Sequence, residues 1–394
     1  MTRAGDDQQG SAIRKGQEER RRTVVPLSIL DLAPISAGSD AATALRNTID
    51  LAQHAEQWGY RRFWIAEHHF VGVASAAPAV LIGQIAAATN TIRAGSAAVQ
   101  LTHTTAAAVV ESFGMLEAFY PGRIDLGVGR GQRRDTGFKP KPPSTKNRPP
   151  RVWREVDGVV IPLPFDLRGL LDTERVKATM EILQQPEAVA PDFAEQLGDI
   201  LAMLDGTYEV KGFDVHAVPG ERSGLAPWIF GSTRGQSARL AGAHGLPFVA
   251  SYHITPATAL EAIDAYRDTF VPSATLRQPY VVVSADVVVA EDSATARRLA
   301  AGYGQWVYSI RTGVGAVPYP SPEDCRPLSE EQLPVVKDRL ETQFVGDPDE
   351  VAERLAALQR LTEADELVVT SVTYDHQDRL RSHELLAKRW GVGG

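Results

Sequence analysis

The chain is poor in cysteine, and that scarcity is the first constraint. Cys325 is the only cysteine in 394 residues, so no internal disulfide can form. Such a composition suits a reducing compartment. Long apolar runs are also missing: none reaches the roughly 20 residues that a membrane-spanning helix needs. No dense basic stripe follows residue 25, and the net charge is -8, so a nucleic-acid footprint is not expected. Residues 1–25 end in EERRRTVV and lack the apolar middle of a signal peptide. They read as a flexible arm outside the fold. A cytoplasmic protein with neither nucleic acid nor membrane as partner is therefore expected. A content of 43% hydrophobic and 23% charged residues is that of an ordinary globular chain.

What the chain does have is a rhythm. Short apolar runs begin with PLSILDLAPI and continue through RRFWIAEHH, TIRAGSAAVQL and RIDLGVGRG. After a long interval they resume as PWIFGS, LPFVASYHI, YVVVSADVVVA and ELVVTSVTYD. Each is followed by a helical pattern; Leu45, Ile49 and Ala52 share one such face, and Val109, Phe113, Leu116 and Tyr120 another. Ser39 or Asp40 can cap the first helix and Gly59 can end it. Strands alternating with helices imply a parallel sheet with helices outside it. Eight such units describe an α/β fold of the (β/α)8 TIM-barrel type, with a doubly wound sheet as the alternative. Residues 26–394 then form a single barrel domain. Residues 132–190 form an extended insertion after strand four, rich in proline and lysine at FKPKPPSTKNRPPR and expected to act as a lid. A small hairpin is expected to turn at Lys211-Gly212.

Barrel active sites are built at the C-terminal ends of the strands. Three groups fall there. The first is Glu67-His68-His69, where RRFWIAEHH stops. Strand neighbours point to opposite faces, so one histidine of the pair should face the barrel mouth and serve as acid, base or hydrogen-bond donor. A metal centre is not expected, because neither H-E-x-x-H nor H-x-H is present and only His103 and His253 could add ligands. Histidines held by local hydrogen bonds are the plainer alternative. The second group is LGVGRGQ, where Arg130 among glycines could grip a phosphate, or could be a solvated residue on a tight turn. It is not a dinucleotide fingerprint, since the G-x-G-x-x-G spacing is absent. The third is FGSTRGQSARLAG, which sets Gly231, Ser232, Thr233, Gly235 and Ser237 ahead of a helix N-terminus. That arrangement suits an anion, or a simple serine cap.

Taken in order, these segments resemble the bacterial-luciferase-like family of flavin-dependent monooxygenases. The resemblance is strongest in AEHHF, in IRAGSAAVQLTHTTAAAVVESFGMLEAFYPGRIDLGVGRG and in PWIFGSTRGQSARLAGAHGLPFVASYH. It implies reduced FMN (FMNH2) bound at the strand ends and supplied by a separate flavin reductase. It also implies O2 added at the flavin C4a to give a hydroperoxide, a small organic substrate, and a homodimer. Residue by residue, His68 resembles the active-site histidine, with His69 and Glu67 facing away from the flavin. Ala97-Ala98 resembles a pair joined by a cis peptide beneath the flavin ring, and Arg130 the phosphate-gripping arginine. Gly231 and Ser232, with the helix start near Ser237, resemble a second phosphate contact. A deazaflavin-dependent dehydrogenase of the same superfamily and a non-catalytic flavin-binding protein remain as alternatives. The long insertion departs from the family pattern and leaves the substrate open.

Overall fold

The computed structural model describes residues 25–131, 152–166, 168–171 and 173–392. Nearly all of the expected N-terminal arm, and residues 132–151 of the insertion, lie outside the described residues.

Eight short strands carry the architecture: β1 Leu27–Asp31, β2 Arg62–Ile65, β3 Arg93–Ser96, β4 Ile124–Gly129, β5 Pro227–Gly231, β6 Phe248–Ala250, β7 Val281–Val289 and β8 Glu366–Thr370. All pairings among them are parallel, and β8 lies beside β1. The ring closes because β5 pairs with β4 as well as with β6, in the register Pro227↔Leu126, Trp228↔Gly127 and Ile229↔Val128. A doubly wound sheet has two free edges, so this closure decides for the (β/α)8 barrel.

The outer layer includes α1 Ala41–Trp58, α2 Pro78–Ala88, α3 Ala106–Phe119, α4 Glu174–Leu183, α5 Phe193–Asp205 and α6 Gln236–Ala243. It continues with α7 Ala259–Thr269, α8 Tyr303–Arg311, α9 Leu333–Thr342, α10 Pro348–Thr362 and α11 His376–Trp390. Asp40, not Ser39, caps α1, accepting the Thr43 N–H at 2.7 Å, and Gly59 ends it in the left-handed region. The expected turn at Lys211-Gly212 is present, with φ of 52° and 78° joining Glu209–Val210 to Phe213–Asp214. Three elements differ from the sequence pattern. Within the insertion, VDGVVI belongs to a hairpin, Arg154–Val156 against Val159–Ile161, turned by Asp157 and Gly158 at positive φ. The third apolar run splits after Ser96, and Val99–Gln100 forms a separate strand beside β4. The expected helix after β7 breaks between Leu299 and Tyr303 into Ser293–Leu299 and α8.

Alternation along each strand sorts side chains between the helices and the barrel interior. Leu27, Ile29, Phe63, Ile65, Leu367 and Val369 join the helix-facing core. Inside, the lowest layer is charged: Arg62 bonds both Asp125 (3.1 Å) and Glu366, while Arg93 reaches Asp125 at 2.6 Å. Glu366 also accepts from Ser28 at 2.5 Å and Tyr280 at 2.9 Å, so each buried charge has partners. Above it, Leu30, Trp64, Trp228, Val249, Val282 and Val368 fill the interior. Trp64 meets Trp228 and Phe230 edge-on, each at 5.4 Å between ring centroids.

These rings fit because facing positions carry no side chain. A Cβ on Gly95 would lie 2.6 Å from the Trp64 ring. One on Gly127 would lie 1.7 Å from the Ser96 carbonyl oxygen and 2.7 Å from the Phe230 ring. The first clash is with backbone, which cannot swing aside. Gly127→Ala should therefore cost at least about 1–3 kcal/mol of stability. Urea denaturation checks this, and an unchanged midpoint would refute the packing account.

Candidate functional site

A cavity of about 620 Å3 opens at the C-terminal ends of the strands, within the size range of small-ligand sites. His68, Ala97, Ala98, Arg130, Gly231, Ser232 and Ser237 all line it. Residues as far apart in the chain as His68 and Ser237 are thus gathered at one mouth, as closure of the barrel requires.

The histidine pair sits differently from expectation. β2 ends at Ile65, so strand alternation does not govern residues 67–69. Glu67 and His69 line the cavity along with His68. They do hold the strand end: Glu67 is buried, with Oε1 2.9 Å from His69 Nε2 and Oε2 accepting the Gln100 N–H at 3.0 Å. The Gln100 side chain returns a bond to the Glu67 carbonyl at 2.8 Å. Burial raises the Glu67 pKa, while the His69 and Gln100 bonds pull it down.

His68 is open to the cavity, yet protein surrounds the cavity itself. That enclosure, reinforced by neighbouring His69, pushes its pKa down to about 4. Burial likewise holds His103 and His253 down to about 4. His253 lies at the end of β6, with Nδ1 2.5 Å from Ser284 Oγ. Beyond it Asp286 accepts from Arg339 at 3.0 Å and from Tyr303, and Arg339 also bonds Tyr303 at 2.6 Å. Sequence reasoning missed this group. The available signal was an aspartate inside the apolar run VVVSADVVVA, a residue rarely buried unless paired.

Arg130 follows β4 and is exposed, and Gly131 after it has a φ of 68°. The helix start is also clear. α6 begins at Gln236, Gly235 is its N-cap, and no side chain caps it. Ser237 is therefore in the first turn and is not a serine cap, which leaves first-turn N–H groups for a ligand. Hydroxyls of Thr255 (3.1 Å) and Thr258 bind the Ser232 carbonyl and hold this loop. The peptide between Ala97 and Ala98 is cis. The described part of the insertion also reaches the cavity: Val176, Thr179, Met180 and Leu183, one face of α4, line it with Trp306 and Ile310 of α8. Among the described residues no three His, Cys, Asp or Glu side chains come together as a metal ligand set.

The sequence model of the luciferase-like monooxygenases matches residues 25–155 and 171–363. The chain belongs to that family. It is an oxidoreductase of the luciferase-like class. It is 33% identical over 365 residues to a luciferase-like monooxygenase of Escherichia coli K12, covering 92% of this chain and 96% of that one. It superimposes on the crystal structure of apo-MsnO8 with a TM-score of 0.72 and 30% identity, covering 93% of this chain and 99% of that one. A shorter stretch of 108 residues is 50% identical to an N-acetyl-S-alkylcysteine monooxygenase of Bacillus subtilis, covering 27% of this chain and 32% of that one. Among the described residues of this luciferase-like enzyme, no helix is long and apolar enough to cross a membrane.

The three depressed histidines make a pH prediction. Unfolded, each titrates near 6.5; folded, near 4. Between those values the unfolded chain binds more protons than the folded one. Stability is therefore full above about pH 6.5 and falls as pH drops through the window toward 4. Urea midpoints at pH 7 and pH 5 measure the drop, and His253→Asn should make it smaller. Equal midpoints at the two pH values would contradict the neutral state of these rings.

Proposed function

We propose that the protein is an FMNH2-dependent monooxygenase that inserts one atom of O2 into a small organic molecule. One observation carries this reading. A single cavity is lined both by groups suited to an anion, Arg130 and the uncapped start of α6, and by a neutral imidazole, His68. An elongated group with a phosphate at one end and a reactive ring at the other fits that combination. Bound reduced flavin would supply the electrons that activate O2 at its C4a carbon.

The protein's own residues have distinct parts. Arg130 pairs with the phosphate, and the N–H groups around Ser232 to Ser237 donate to it. The small side chains of Ala97 and Ala98 leave the backbone open to a flat ring. His68, neutral at pH 7, can accept a proton or donate its N–H at the reacting end. The apolar faces of α4 and α8 keep water from that end. The local match to an N-acetyl-S-alkylcysteine monooxygenase favours oxygenation over deazaflavin hydride transfer, and it makes organic thioethers the first substrates to try. A separate flavin reductase fits a chain without a dinucleotide fingerprint. The lone cysteine fits a cytoplasmic setting.

Oxygen uptake with chemically reduced FMN and a thioether panel tests the reading. Product formation that depends on both O2 and FMN is expected. Turnover with a reduced deazaflavin and without O2 would overturn it. In the same assay Arg130→Ala should raise the FMN dissociation constant about tenfold while leaving riboflavin, which has no phosphate, nearly unaffected.

A homodimer is part of the proposal. Val80 of α2 and Met115 and Phe119 of α3 are 69%, 53% and 70% exposed on neighbouring helices that are apolar almost all round. Apolar surface of this kind commonly meets a partner. Sedimentation should find a dimer that the double variant Met115→Glu, Phe119→Glu converts to a folded monomer. A monomeric parent would refute this.

A further inference from the structure

Among the described residues the charges around the cavity do not all find partners. Among those residues five charged ones line it besides the histidines: Glu67, Arg130, Arg175, Asp286 and Arg339. Asp286 and Arg339 bind one another, and Glu67 is held by His69 and two bonds linking it to Gln100. His68, His103 and His253 are neutral near pH 7. Two guanidinium groups remain, Arg130 and Arg175, and neither forms an ion pair among the described residues. On the reading above Arg130 belongs to the cofactor phosphate. Arg175 has no such assignment.

Arg175 is the second residue of α4, the insertion helix. Its Nη2 donates to the Phe70 carbonyl at 2.7 Å, two residues beyond His68, which places it on the histidine side of the cavity. Gly315 lies beside it, at a φ of 83° that only glycine adopts readily: a Cβ there would touch Nη2 and Nε at ordinary contact distances of 3.4 and 3.5 Å and would press on Val71 at 2.7 Å. A guanidinium has five N–H donors, so most of its capacity is unused by the Phe70 bond. Beside it runs an apolar wall formed by Val71, Val176, Met180, Trp306 and Ile310. A lone cation next to an apolar surface selects a molecule with an anionic end and an apolar body.

We propose that the substrate of this site is an organic carboxylate with an apolar chain, its carboxylate bound by Arg175 and its chain laid against α4 and α8. Arg175 is then a specificity-determining residue, and the insertion contributes it. This rests on the monooxygenase reading only for the statement that the bound molecule is the substrate.

Calorimetric titration of the full-length protein, with and without oxidised FMN and with no reductant, tests binding apart from turnover. The probes are two matched pairs: N-acetyl-S-hexylcysteine with its carboxamide, and octanoate with octanamide. In each pair the acid should bind about five- to tenfold more tightly than the amide, a modest factor because Arg175 is partly in solvent. Arg175→Gln should bring the acid to the level of the amide and leave amide and FMN affinity unchanged, while Arg175→Lys should keep part of the preference. Equal binding of acid and amide by the parent, or no binding of either pair, overturns the proposal. So does an Arg175→Gln variant that loses amide or FMN affinity to the same extent, since that outcome marks a structural or cofactor role. Retained acid preference without FMN binding would instead sink the flavin reading and leave the anion site standing.

Discussion

One close approach governs the rest of the structure: β3, β4 and β5 meet where Gly127 has no side chain. The Ser96 carbonyl and the Phe230 ring fill the space a Cβ would need. Without that contact β4 could not lie against both neighbours, and the ring would remain an open sheet with unpaired edges. Closure through β4 and β5 also brings the loop that carries Arg130 to the same mouth as the loop from Ser232 to Ser237. A glycine that looks like part of a ligand loop therefore acts first on packing, and the meeting of these two loops at the cavity follows from it. Gly231 behaves similarly, since a Cβ there would press on the Phe248 ring at 2.8 Å.

The barrel separates its charges by height. Arg62, Arg93, Asp125 and Glu366 occupy the lower end, where mutual bonds satisfy them away from water. An aromatic and aliphatic layer lies above, and the cavity above that. Enclosure by protein there lowers the pKa of the cavity histidines, because an imidazolium loses hydration on leaving bulk water, and neighbouring His69 adds to the effect at His68. The exception is the group Asp286, Tyr303 and Arg339, in which opposite charges are paired in place. Among the described residues the mouth thus combines the Asp286–Arg339 pair, Glu67 held by His69 and Gln100, and two guanidiniums, Arg130 and Arg175, that form no ion pair there.

The alternation of apolar runs with helical patterns was legible in the chain, and so was the number of barrel strands, because burial on both faces of a parallel strand leaves a nearly continuous apolar stretch. Arg130, His68 and the small residues from Gly231 to Ser237 were also visible, since strand ends are marked by abrupt changes of composition. The turn at Lys211-Gly212 could be read from two residues. Tertiary structure decided what depends on contacts between distant segments. Whether β5 closes on β4 or leaves an edge has no local signature. The facing of His68 and His69 was set by where β2 stops, at Ile65, which hydrogen bonding across strands determines. The grouping of His253, Asp286, Tyr303 and Arg339 joins four elements, and no spacing in the chain encodes it. The place of Arg175 at the cavity depends on its bond to the Phe70 carbonyl, 105 positions away. Local pattern records the conformation that each segment prefers and the face that it must bury. Which segments share a cavity is settled only when those faces are packed together.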